Sequence, residues 1–83
     1  MSTHTPHELA DIFPADAAVL HRLKATDAHF ARLAERHHQV NRAIHRIEVE
    51  AEAASDDRLE ALKKERLHLL ATIAALLENA PAA

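Results

Sequence analysis

Eight histidines in 83 residues are the groups in this chain best equipped to bind a metal or carry protons near neutral pH. A helix offers two imidazoles to one ion at spacings of i, i+3 or i, i+4. His21, His29, His37, His38 and His45 contain no pair so spaced, and His38 and His45 stand two turns apart. Glu35 with His38, His45 with Glu48, and Glu65 with His68 do have i, i+3 spacing. Each is half a site at most, to be completed only across an oligomer interface. His4 and His7 with Glu8 would chelate weakly, from in or near a mobile tail. These spacings favour solvated surface histidines, with no metal ligand and no cofactor.

Nucleophilic and acid–base chemistry has still less to draw on. The chain has neither cysteine nor glycine, which argues against a thiolate nucleophile, a zinc–thiolate site, a nucleophile elbow or a phosphate-cradling loop. Its few serines and threonines fall in a tail, at a turn or on helices. A general acid–base pair needs a concave pocket poor in water, which two packed helices do not supply alone. The expectation is a protein that is not an enzyme, with no catalytic residue.

His37 stands apart from the other histidines. In FARLAERHHQVNRAIHRIE, Phe30 to Glu48, apolar residues recur at alternating steps of three and four, and His37 takes a beat where one is due. The full series is Val19, Leu23, Thr26, Phe30, Leu33, His37, Val40, Ile44, Ile47, Ala51 and Ala54, which is a heptad seam. Polar seam residues fix register by bonding to a polar group across the interface, and one ring nitrogen of His37 is expected to do so. A pH switch or a ligand contact is the other use of such a residue. Phe13 and Phe30 read as core anchors.

The seam requires a long helix. Pro14 would start it, with Asp16 in the first turn where the dipole favours an acid, and it would run over 14–53, roughly 60 Å at 1.5 Å per residue. Glu48, Glu50 and Glu52 have the wrong sign for a helix C-terminus and predict fraying there. Ahead of it, TPHE reads as a helix start: Thr5 as N-cap, Pro6 in the first helical position, Glu8 closing a capping box. That short helix covers 6–12, because Pro14 disfavours helical geometry at Phe13. Residues 1–5 read as a mobile tail.

ASDD, Ala54 to Asp57, is the turn over 54–57. Ser55 or Asp56 can cap the next helix, and Asp57 with Glu60 has capping-box spacing. The second helix spans 57–79, and Pro81 closes the chain within a tail of 80–83. Its seam is Leu59, Leu62, Arg66, Leu69, Ile73, Leu76 and Ala80. Leu67, Leu70, Ala74 and Leu77 form a second row beside it, so apolar residues cover about half the circumference, more than one coiled-coil partner occupies. The expected fold is a single all-α domain: an antiparallel two-helix hairpin with a short N-terminal helix, self-associating into a bundle through that second row.

Composition agrees. Hydrophobic residues make up 48% and aromatics 2%, so the core must be aliphatic and alanine-rich. A chain of this size buries only about 60–65% of the surface it exposes unfolded. No apolar run approaches the roughly 18 residues of a membrane span, and the N-terminus lacks the basic-then-apolar order of a signal peptide. A cytoplasmic protein without a membrane span is the default expectation.

Charge is unevenly spread. Between His21 and Ile47, Arg22, Lys24, Arg32, Arg36, Arg42 and Arg46 outnumber Asp27 and Glu35. Lys24, Arg32, His38, Arg42, His45 and Arg46 fall on the face away from the seam, where a stripe along a rod could track phosphates or an anionic lipid surface. The competing reading is a solvated helix face offset by acids of a neighbouring protomer, such as Glu48 to Glu52. That reading is favoured, because the net charge is −3 where phosphate binders carry a clear positive excess, and aromatic interleaving is missing.

HELADIFP, LKATDAHFARLAERHHQVNRAIHRIE and DDRLEALKKERLHL together resemble the YdcH-like family of small bacterial proteins, from about His7 to Leu77. The fingerprint is Phe13-Pro14, Leu23-Lys24, His29-Phe30, Leu33, His37, Ile44, Ile47-Glu48, and Leu62-Lys63-Lys64 with Leu67-His68-Leu69. The resemblance implies a helical hairpin that self-associates, and it leaves biochemical function open. After Leu69 the family commonly has lysine-aspartate, where this chain has Leu70 and Ala71, making the second helix more apolar. The leading functional expectation is a non-enzymatic oligomerisation or adaptor module offering a helical surface to an unknown protein partner. The alternative is a nucleic-acid-associated accessory protein using Lys24, Arg32, Arg42 and Arg46.

Overall fold

Side-chain bonds to the backbone decide where the helices begin and end. The computed structural model describes residues 6–49 and 52–81. Its elements are α1 (Leu9–Ile12), a 3₁₀ turn (Pro14–Asp16), α2 (Ala17–Thr26), α3 (Ala28–Glu48) and α4 (Asp56–Asn79), with no strand among the described residues. The fold is all-helical.

The single helix expected over 14–53 is divided. The longest dimension is 42 Å, too short for a roughly 60 Å rod. The break falls at Asp27, whose backbone is extended (φ −123°, ψ 106°). Two short polar side chains compete with the helical ladder at this point. Thr26 Oγ1 donates to Arg22 O at 2.8 Å, and Asp27 Oδ1 accepts from Phe30 N at 3.1 Å, which caps α3. A new helix starts with a new phase. Thr26 is therefore exposed, and Leu20, outside the expected series, is buried on α2 in place of Val19. At the other end α3 stops at Glu48, with the acids of Glu48 and beyond opposing the dipole.

The N-terminal helix also shifts. It starts at Leu9 rather than Pro6, because His7 adopts φ 65° and turns the chain. Glu8 is the N-cap, its N–H donating to the Asp11 carboxylate at 3.3 Å, so the helix over 6–12 shortens to 9–12. Thr5 and the rest of residues 1–5 lie outside the described residues, as do Glu50 and Ala51. Ser55 caps α4 by accepting from Arg58 N at 3.1 Å, which places Asp56 and Asp57 in the first turn where the dipole favours them.

The core has two centres. Phe30, Ala34, Leu20, Leu9 and Ile73 form one, with Leu23, Leu33, Leu70, Leu76 and Leu77 against it; Val40, Ile44, Leu62 and Leu69 form the other, with Leu33, Ile47 and Leu59. Phe30, Val40, Ile44, Leu62, Leu69 and Ile73 are thus in the interior, with Leu33, Ile47, Leu59 and Leu76 at its edge. Side-chain bonds tie α3 to α4 at three places: Arg36 with Glu65, Asn41 with Arg66, and Glu48 with Lys63. Arg22 of α2 reaches Pro81 O at 2.6 Å, just beyond the end of α4. The break at Asp27 lets α2 and α1 fold over the C-terminal half of α4, which a straight rod would have left bare.

The second apolar row of α4 is divided between the chain's interior and its surface. Leu70 and Leu77 pack against the chain's own first cluster, and only Leu67, at 70% exposure, stands fully in solvent. Ala74 is half-buried.

Candidate interaction surface

His37 and Asn41 lie one turn apart on α3, between Ala34 of the first cluster and Ile44 of the second, at 0% and 2% exposure. Spacing of i, i+4 points both the same way. The Asn41 amide donates to Pro6 O at 2.8 Å, and its Oδ1 accepts from Arg66 Nη1 at 3.0 Å. One side chain thereby holds the N-terminal turn, α3 and α4 together. The polar residues Arg66 and Asn41 serve the cross-helix role anticipated for His37.

His37 does not make the bond expected of it. Neither ring nitrogen has a hydrogen-bond partner among the described residues. Burial holds its pKa below the usual histidine range; the Glu8 carboxylate opposes this, while Arg66 and His38 reinforce it. The residue is a neutral, buried imidazole. Glu8 pairs instead with exposed His38, whose Nδ1 lies 3.3 Å from the carboxylate.

The other chemistry-bearing residues do not converge. Among the described residues no three His, Asp or Glu side chains are placed to share an ion. Glu8, Lys24, Glu35 and His38 border an open notch of about 510 Å³ walled by Ala31 and Ala34. Its charges alternate in sign, and Glu35 takes a hydrogen bond from Gln39 at 3.4 Å rather than facing His38 alone.

The basic face is interrupted. Lys24, Arg32 and Arg42 are exposed, but Lys24 lies on α2, across the break from α3. Arg46 pairs with Glu52 at 3.2 Å, so an acid of the same chain offsets it. Arg36 grips Glu65 with two bonds, of 2.5 and 2.8 Å, which lowers the Glu65 pKa and raises that of Arg36.

An apolar line runs along the outer side of α4. Leu67 is followed on the same side by exposed Ala71 and Ala75 and half-buried Ala74. Two grooves flank this line. One, of about 320 Å³, is bordered by Ile12, Leu67 and Leu70 with His7, Lys63 and Arg66. The other, of about 420 Å³, is bordered by Phe13, Ala71, Ala74, Ala75 and Leu77 with Asp16 and Glu78. No helix among the described residues is long and apolar enough to cross a membrane.

The family model described as "Protein of unknown function (DUF465)" matches residues 30–77, more than half of the 83-residue chain. The chain belongs to this family. YdcH-like proteins are members of it, in agreement with the resemblance carried by the fingerprint residues. The match covers nearly all of α3 and α4 and leaves α1 and α2 outside. No curated protein and no solved structure matches the chain.

Sequence reasoning passed over Asn41 and Ala75. Asn41 carried a signal: it follows His37 by four residues on the apolar side of α3, so two polar residues there called for a shared explanation. Ala75, small and helix-favouring, gave no such sign.

Proposed function

We propose that this protein is a non-enzymatic oligomerisation or adaptor module of the cytoplasm. In this reading α3 and α4 form an antiparallel hairpin, braced by α1 and α2, that presents the outer side of α4 to another protein chain. The observation that carries it is Leu67, 70% exposed on the longest helix and continuous with Ala71 and Ala75. A large apolar side chain set in an apolar line, with grooves on its flank, is the usual composition of a docking surface. No deep pocket with converging polar groups competes with it among the described residues. Sedimentation equilibrium at micromolar concentration tests the reading. Wild type should exceed the 9.2 kDa of one chain, and Leu67→Glu should return it to that mass. A helical wild-type monomer throughout that range overturns it.

Arg32 and Arg42, exposed and without an ionic partner among the described residues, favour a second reading as a nucleic-acid-associated protein. Binding of a generic RNA that falls steeply with salt and disappears in the triple change of Arg32, Arg42 and Arg46 to Glu would support it. Absence of binding at low salt removes it.

A further inference from the structure

We infer that a second copy of this chain docks on the outer side of α4 about a two-fold axis passing between Leu70 and Ala71, with the two α4 helices antiparallel. This rests on the reading of the chain as self-associating, and adds to it a geometry and a set of matched residues.

The exposed side of α4 has two unlike halves. Its N-terminal half carries a projection, Leu67, beside the cation Lys63, and Lys64 is exposed nearby. Its C-terminal half carries a depression floored by Ala71, Ala74 and Ala75, whose small side chains leave room for a neighbour, with Asp16 and Glu78 at its rim. Asp16 and Glu78 have no cationic partner among the described residues; Lys63 reaches Glu48 of its own chain at 3.1 Å and is still 39% exposed. Leu67 and Ala74 are seven residues apart, about 10 Å along the helix, and lie on the same side because seven residues make nearly two turns.

A projection and a depression on one rigid helix cannot meet within one chain, but a two-fold axis perpendicular to the helix brings them together twice. With the axis between Leu70 and Ala71, Leu67 of each copy falls opposite Ala74 of the other. The same operation sets Lys63 opposite Glu78, and Leu70 opposite Ala71. Three pairings, one of shape, one of charge and one at the centre, are thus satisfied by a single axis. A parallel arrangement would instead oppose Leu67 to Leu67 and Lys63 to Lys63, stacking projection on projection and like charge on like charge.

The full-length chain tests this directly, since it has no cysteine of its own. Lys63→Cys and Glu78→Cys proteins, mixed and treated with a short bismaleimide, should give a cross-linked pair far exceeding the product of either protein alone; Arg58→Cys serves as the background. In sedimentation, Lys63→Glu and Glu78→Lys should each weaken self-association about tenfold, because the axis places each reversal in the interface twice. The double variant should recover the wild-type affinity. Circular dichroism of each variant confirms that the helices are intact. Self-association that depends on Leu67 but gives no preferential mixed product, or a double variant no tighter than the singles, overturns this geometry and leaves self-association standing. A monomeric wild type removes the reading and the geometry together.

Discussion

Arg66 Nη1 donates to Asn41 Oδ1 at 3.0 Å, and Asn41 Nδ2 donates onward to Pro6 O at 2.8 Å. The two bonds join α4 to α3 and α3 to the turn that precedes α1. Asparagine suits this position because its one side chain both donates and accepts. The guanidinium keeps a charge-assisted bond where α4 turns inward, and its charge also disfavours a proton on His37.

Removing Asn41 should therefore cost more than its size suggests. Asn41→Ala leaves the Arg66 guanidinium and the Pro6 carbonyl without this partner, and should lower stability by about 1–3 kcal/mol in denaturant titration. Amide exchange over Leu9–Ile12 should accelerate, because α1 loses the bond that anchors its entry. A change confined to α4 would show that Asn41 braces the helix pair alone.

His37 makes stability depend on pH with a definite sign. At pH 7.5 its imidazole is neutral in both folded and unfolded chains. As pH falls below the unfolded value of about 6.5, the unfolded chain takes up a proton that the buried ring resists, so the folded state loses stability until folded His37 is itself protonated. Glu8 works against this loss; Arg66 and His38 add to it. His37→Leu removes two unpartnered buried nitrogens and should be at least as stable as wild type at pH 7.5, with a wider margin at pH 5.5. Thermal melts at the two values check it, and parallel responses of the two proteins contradict it.

Leu67 and Leu70 should respond oppositely to the same substitution. Leu67→Glu places a carboxylate in solvent and should leave the helix content and unfolding of dilute protein within about 0.5 kcal/mol of wild type. Leu70→Glu brings a carboxylate against the cluster of Leu9, Leu20 and Phe30 and should cost several kcal/mol. Denaturation below the association range separates the two effects.

Asp27 sets the end of one helix and the start of the next. Asp27→Ala removes the acceptor for Phe30 N and should lower stability by about 1 kcal/mol, read by chemical denaturation. Asp27→Asn keeps the acceptor and should retain most of it. Equal losses in the two variants would assign the effect to charge rather than to the cap.

The sequence by itself determined the helical class, the family, the turn at Ser55 and the large apolar residues that α3 and α4 turn inward. Leu33, Val40, Ile44, Leu62, Leu69 and Ile73 were legible because a repeated apolar spacing within one uninterrupted helix maps directly onto one side of it. Leu20 and the true surroundings of Leu70 and Leu77 were not. A break at Asp27 costs the apolar pattern nothing locally, since Thr26 and Asp27 supply the lost backbone bonds from their own side chains, yet it redirects everything before it. Whether α2 continues away as a rod or folds over α4 depends on burial gained against residues some fifty positions distant, such as Leu20 with Ile73. Likewise the bond from Arg66 to Asn41, in place of one from His37, was decided where three segments meet. Only the tertiary structure brings a carbonyl at Pro6 and a guanidinium at Arg66 to opposite ends of one amide.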